Sequence, residues 1–207
     1  NYCNDTLDLH RKSTSLLFNF DEEIAADIVE KAKELDVCGH EIERSCIRFI
    51  AMEQPLATDL MYIESSIRVI SHVKRIAYLC RNIAESAATI EGIKVSNKIM
   101  GDLEYMADYV QIMLTRGFGS FCNQDISVAR ELASDDDKVD DLFDIILSHT
   151  TELLTEKTQN ALEIVNIIFI ARYLERIADR VVNIGERVIF INTHKRPHIE
   201  ELKKEEQ

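Results

Sequence analysis

Residues 75–85 read RIAYLCRNIAE, and residues 176–186 read RIADRVVNIGE. The second stretch repeats the first at an offset of 101 residues, in a chain of 207. A repeat of about half the chain length indicates one structural unit present twice, rather than a solenoid of short repeats. In both copies the apolar residues recur every three or four positions, which is the spacing of one face of an α-helix. The duplication therefore predicts two related helical units.

The composition favours an all-α fold. The chain has 6 Gly and 2 Pro, and it is 46% hydrophobic and 29% charged. So few helix-breaking residues leave little room for many short strands joined by turns. We therefore expect an all-α protein built from long helices.

Apolar periodicity and helix-end signals divide the chain into six predicted helices. Asp21 is the expected N-cap of the second helix, and Pro55 is expected in the first turn of the third. Gly117 and Gly119 are read as the end of the fourth helix and the turn that follows it. The predicted helices run from Thr6 to Phe18, Phe20 to Ala51, Pro55 to a stop at Gly92, about Val95 to Phe118, Ser127 to Glu156, and Asn160 to Asn192.

This plan predicts two tandem three-helix bundles related by internal duplication. The first bundle covers residues 1–92, and the second covers residues 93–193. A charged tail follows over residues 194–207. Truncation of an inward-facing apolar residue should destabilise the fold strongly, and these residues are Ile70, Ile76, Ile83, Leu174, Ile177 and Ile184.

Charge and hydropathy restrict the function. The formal net charge of -13 argues against nucleic-acid binding, which depends on clustered Lys and Arg. No apolar run reaches the roughly 20 residues that a membrane-spanning helix needs. We expect a soluble cytoplasmic protein that does not bind nucleic acid.

Two acidic pairs are candidate metal ligands. Glu175 and Asp179 are four residues apart and project from one helix face, as do Asp136 and Asp140 on the preceding helix. If these faces meet, four carboxylates converge, and their mutual repulsion requires cations or protons. Iron or another divalent ion with oxygen ligands suits such a site. Weaker candidates on roughly the same faces are Asp144, Asn183 and Glu186.

A simpler interpretation of the same residues remains open. Glu175 and Asp179 have Arg172, Arg176 and Arg180 as neighbours, and could form ordinary surface ion pairs of about 0 to 1 kcal/mol each.

The first half departs from the acidic pattern. Lys74 and Tyr78 stand where the second half has Glu175 and Asp179. We expect Lys74 to act as a built-in cation beside Asp36 and Glu85.

Several of these stretches together resemble the PhoU family of phosphate-signalling regulators. The resemblance begins at the stretch QPLATDL of residues 54–60 and continues through the first copy of the repeat. The stretch YLERIAD of residues 173–179 is even more similar to the family's second half, and Asp136 and Asp140 match its acidic pattern. The resemblance runs from about Asp21 to Thr193, in the family's order.

The resemblance implies a cytoplasmic, non-enzymatic regulator of phosphate uptake and of the phosphate-starvation response. Such a protein contacts the phosphate ABC transporter, through its ATPase subunit, and a sensor kinase or other regulator. It reaches the membrane only through these partners and can form a homodimer. Some members of the family bind iron or other metal ions through the acidic motifs.

Two other functions remain as alternatives. One is a carboxylate-bridged metal enzyme or metal-storage protein on the same bundle, which would need an open coordination position reached from a cleft. The other is a structural oligomerisation module, which would bind itself and nothing from the transporter.

Overall fold

A computed structural model describes residues 2–92, 96–156 and 161–195, and no strand occurs in these ranges. The predictions of an all-α fold and of two three-helix units are confirmed. The helices are α1 (Tyr2–Ser15), α2 (Glu22–Glu53), α3 (Ala57–Ile90), α4 (Asn97–Asn123), α5 (Ile126–Glu156) and α6 (Ala161–Thr193).

Both ends of α2 follow their local sequence signals. The side chain of Asp21 accepts hydrogen bonds from the backbone N–H groups of Glu23 and Ile24, at 2.9 and 3.0 Å. It thereby satisfies two of the donors that a helix start leaves without partners. At the other end Gln54 adopts a left-handed conformation with φ 45° and caps the helix, three residues beyond the predicted end at Ala51.

The prediction for Pro55 is wrong. The third helix begins at Ala57, and Leu56 is its N-cap in extended conformation with ψ 166°. The backbone N–H of Leu60 donates to the carbonyl of Leu56 at 2.8 Å, which is the first bond of the helix. Pro55 therefore lies before α3, between the C-cap Gln54 of α2 and the N-cap Leu56 of α3.

The turn predicted at Gly117 and Gly119 is also wrong, since α4 continues to Asn123. The helix ends at Gln124, which has φ 55°. A Cβ at position 117 would lie 2.5 Å from Cγ1 of Val181 on α6. Gly117 therefore serves the close approach of two helices rather than a helix end.

The remaining predicted boundaries agree only approximately with the structure. The first helix runs over Tyr2–Ser15 rather than from Thr6 to Phe18. Gly92 has φ 76° just after the end of α3, so the predicted stop is confirmed. Val95, Asn160 and the tail from Arg196 onward lie outside the described residues.

One hydrophobic core runs through both units. The six residues predicted on the inward stripes are all buried; Ile70 is 7% exposed and the other five are fully buried. Within each unit α3 and α6 form the central helices, and they also pack against each other. The domain boundaries at residues 92 and 193 stay predictions, because the core continues across the junction.

The two units meet at equivalent positions of the repeat. Nδ1 of His10 on α1 lies 2.7 Å from Oε1 of Gln111 on α4, and these residues are 101 positions apart. Contact between equivalent residues is the mark of a two-fold arrangement, as in an isologous dimer. None of the helices in the described ranges is both long and apolar enough to cross a membrane.

Candidate acidic site of the second half

The predicted ligands lie on two helices that pack side by side. Asp136 and Asp140 belong to α5, and Glu175 and Asp179 belong to α6. Asp136 and Glu175 are buried, Asp179 is partly exposed and Asp140 is exposed. The four carboxylates thus extend from the α5–α6 packing to the protein surface.

Three of these carboxylates share one electrostatic neighbourhood. The pKa of Glu175 is raised first by burial and then by the negative charges of Asp179 and Asp140. The charges of Arg172 and Arg176 oppose this rise. A carboxylate on α5 therefore acts on one on α6, as convergence of the two faces predicts.

Arginines already neutralise part of this negative charge. Nη1 of Arg172 donates to Oε1 of Glu175 at 2.5 Å, and Nε of Arg176 lies 3.8 Å from Oε2 of Glu175. Nη1 of Arg176 also donates to Oδ2 of Asp179 at 3.3 Å. The guanidinium of Arg172 rests over the ring of Phe143, 5.6 Å from its centroid. These are the ion pairs that the simpler interpretation requires.

The metal site itself stays a prediction. In the part of the chain that the structure describes, no group of three or more His, Cys, Asp or Glu side chains is arranged to hold a metal ion. A metal ion at this site would have to replace the contacts of Arg172 and Arg176 with the carboxylates. The chemistry of the donors, which are oxygens in a shared negative field, suits a hard cation.

The three weaker candidate ligands differ in their contacts and exposure. Asn183 donates from Nδ2 to the backbone carbonyl of Asp179 at 2.5 Å, so its amide contacts the helix backbone. Glu186 is half-buried on α6, and Asp144 is exposed on α5.

In the first half a lysine ion pair occupies the equivalent place. Nζ of Lys74 lies 2.8 Å from Oε1 of Glu43 and 3.4 Å from Nδ1 of His40. Both ion-pair partners are largely buried, with Lys74 15% and Glu43 19% exposed at the side chain. An internal cation therefore joins α3 to α2 at this point.

Lys74 forms its ion pair with Glu43 and with neither expected residue, although Asp36 lines the same cavity as Lys74. Glu85 is bonded by Arg81 at 2.8 Å, and Asp36 faces His40 at 3.6 Å. Gly39 explains the difference, because a Cβ there would lie 2.7 Å from Cδ of Lys74. The methylene groups of Lys74 pack against Gly39 on α2, and the ammonium group reaches Glu43, one helical turn further along α2.

Two sets of polar contacts that were not predicted from the sequence join α4 to α5. The hydroxyl of Tyr109 donates to Oδ1 of the buried Asp135 at 2.6 Å, and Arg116 forms an ion pair with the same carboxylate. Nδ1 of His149 lies 3.1 Å from Oδ2 of Asp102. Asp135 belongs to a run of three aspartates in which Asp135 and Asp136 are both buried, and the run alone does not indicate which of its members face the interior.

The buried His10 was also missed. It is fully buried, and desolvation lowers its pKa to about 4 despite the hydrogen bond to Gln111. The repeat offset of 101 residues could have indicated this contact, because it makes His10 and Gln111 equivalent positions of the two units.

Comparison with known proteins locates the repeat independently. A family model described as "PhoU domain" matches residues 2–87 and again residues 103–188. Both ends of the second match are displaced from the first by 101 residues, which is the offset of the repeated stretch. The duplication and its register are thereby confirmed.

Curated relatives cover most of the chain. The phosphate-specific transport system accessory protein PhoU homolog 1 of Methanothermobacter thermautotrophicus is 43% identical over 192 residues, 93% of this chain and 88% of that protein. The PhoU homolog of Zymomonas mobilis is 31% identical over 179 residues, 86% of this chain and 75% of that protein.

Solved structures share the fold. PhoU from Pseudomonas aeruginosa has a TM-score of 0.88 at 24% identity, covering 94% of this chain and 93% of that one. The phosphate transport system regulatory protein PhoU from Streptococcus pneumoniae has a TM-score of 0.87 at 22% identity, covering 95% and 92%.

Proposed function

Because this chain belongs to the PhoU family, we propose that it is a non-enzymatic regulator of phosphate uptake and phosphate-starvation signalling. It acts in the cytoplasm through contacts with the phosphate ABC transporter, at the ATPase subunit, and with a sensor kinase or other regulator. The observation that carries the proposal is the pair of PhoU-domain matches at the repeat offset, together with a 43% identical relative named as a transport accessory protein.

A regulator of this kind works by binding and releasing partner proteins, so the functional residues are expected on its surface. The described surface offers charged helix faces on both halves, and the acidic site of the second half is one of them.

We also propose that this acidic site binds iron or another divalent ion. The residues that would hold it are Asp136, Asp140, Glu175 and Asp179. The support is the shared negative field of Asp140, Glu175 and Asp179, which a cation would stabilise. When bound, the ion would supply positive charge at the α5–α6 surface. Arg172 and Arg176 supply that charge in its absence.

The test is deletion of the gene in its native organism, followed by complementation. At high external phosphate the deletion strain should keep importing phosphate and should express starvation genes, and the intact chain should restore repression. Phosphate uptake and a starvation reporter measure the two outputs. Unchanged uptake and reporter levels in the deletion strain would overturn the proposed function.

A further inference from the structure

Arginines form a line along α3 and α6, the two helices that pack together at the centre of the fold. Glu64 near the start of α3 pairs with Nη1 of Arg187 near the end of α6 at 3.5 Å, so the two helices run antiparallel. Eleven residues further along α3 is Arg75, and eleven residues back along α6 is Arg176. Both steps advance about 16 Å, which brings the equivalent arginines of the repeat to the same level.

We call this line the arginine strip. Its members are Arg68, Arg75, Arg176, Arg180 and Arg187.

The middle of the arginine strip is accessible and only partly neutralised, whereas Arg187 at its end is buried and paired with Glu64. Arg75 is exposed, and the side chain of Arg176 is 45% exposed. Arg68 pairs with Glu64, and Arg176 pairs with Asp179. Among the described residues, no carboxylate lies within ion-pair distance of Arg75 or Arg180. Positive charge is therefore available at the middle of the strip.

The pKa of His72 also indicates that arginines of α3 and α6 lie close together. His72 is half-buried on α3, and its pKa is lowered to about 4, first by burial and then by the charges of Arg180, Arg187 and Arg68. Arginines from both helices therefore act on one point, where the histidine itself is neutral at pH 7.

The shape and surroundings of the strip select among anionic partners. The strip is two helices wide, whereas the chain as a whole carries a formal charge of -13. A flat anionic membrane would meet the negative remainder of the surface and be repelled. A narrow acidic segment can contact the strip alone.

The spacing of the arginines fits a helical segment. Arg176 and Arg180 are four residues apart, and so their guanidinium groups lie about one helical turn apart along α6. Carboxylates at positions i and i+4 of a partner helix have the same spacing. Guanidinium groups bind carboxylates through two parallel hydrogen bonds, which adds orientation to charge.

We propose that the arginine strip is the docking surface for an acidic helical segment of a protein partner. This inference rests on the proposed function, since it assigns a surface to the contacts through which the regulator acts. The bound segment would lie along the α3–α6 face, with its carboxylates against Arg75 and Arg180, and would compete with Asp179 for Arg176.

The test uses a fluorescein-labelled helical peptide with glutamates at i, i+4 spacing. Its binding to the full chain is measured by fluorescence anisotropy at low salt, where surface charges are least screened. The strip variant combines Arg75→Gln with Arg180→Gln. The control combines Arg44→Gln with Arg48→Gln, two exposed arginines of α2, and has the same net charge.

We expect the strip variant to bind about fivefold to tenfold more weakly, and the control to bind as the unmodified chain does. Equal weakening of both variants, or no binding by the unmodified chain, would overturn the proposal. Vesicles of phosphatidylglycerol and solutions of inorganic phosphate form two further arms. Binding of either one that depends on Arg75 and Arg180, without binding of the peptide, would assign the strip to that ligand and overturn it as well.

Complementation separates this inference from the proposed function. If the strip variant restores phosphate repression in the deletion strain as fully as the control, the strip is not the docking surface and the regulatory function stands. If the unmodified chain itself fails to restore repression, the proposed function fails instead.

Discussion

The two halves of this chain share a fold and a core but differ in charge at one equivalent place. In the second half Glu175 and Asp179 create a negative field on α6, and arginines on the same helix partly neutralise it. In the first half Lys74 stands at the position of Glu175 and pairs with Glu43 on α2. Duplicated units therefore kept the apolar pattern that holds the bundle while the charges on their surfaces diverged.

The largest expected effect tests what the halves have in common. Ile76→Ala in the first half and Ile177→Ala in the second should each lower the free energy of unfolding by about 2 to 5 kcal/mol. Both side chains are fully buried in the same core. Urea denaturation measures the loss, and Glu104→Ala, at an exposed position, is the control.

The same experiment can show that the two halves are not equivalent. If one isoleucine variant lost no more stability than Glu104→Ala, the two inward stripes would not be equivalent.

The next effect concerns the contact between the halves. Desolvation lowers the pKa of His10 in the folded chain to about 4 from its ordinary value of 6.5. Between these pH values the unfolded state binds more protons, so stability should fall as pH decreases from about 6.5 to 4 and level off below. The full change is about 3 kcal/mol.

His10→Gln removes this titration and places the counterpart's residue type at position 10. Stability measured by denaturation at several pH values should therefore fall less steeply in the variant than in the unmodified chain. Identical pH profiles for the two proteins would show that His10 is not the buried titrating group.

A smaller effect distinguishes the first half. Lys74→Met leaves Glu43 largely buried without its ion-pair partner, which should cost about 1 to 2 kcal/mol of stability. Lys33→Met is the control, because Lys33 and its partner Glu30 are both exposed. Thermal denaturation should show a lower Tm for Lys74→Met alone, and equal shifts in both variants would contradict an internal cation at Lys74.

Local signals were sufficient to predict much of the fold. The apolar stripes and the cap at Asp21 depend on residues close in the chain, so the six helices of the described residues and the buried isoleucines were predicted, although several helix ends were not. Gly117 was misread because its role depends on Val181, which a distant helix brings to it.

The sites were harder to predict than the helices. Spacing assigned the faces of α5 and α6 and gave Arg172 as one of three possible partners of Glu175, but which of the three forms the shortest contact depends on side-chain packing. Likewise the partner of Lys74 depends on the space above Gly39.

The difference between the halves is tested most directly by counting metal ions. Iron or another divalent ion is titrated into the unmodified chain and into Glu175→Gln with Asp179→Asn, and bound metal per chain and Tm are measured together. A third protein, Lys74→Glu with Tyr78→Asp, places the acidic pair in the first half.

We expect one site or cluster in the unmodified chain, with a rise in Tm that is abolished in the Glu175 and Asp179 variant. The third protein should gain metal in the first half. Equal occupancy of both halves in the unmodified chain, or a Tm rise that survives the double change, would contradict this expectation.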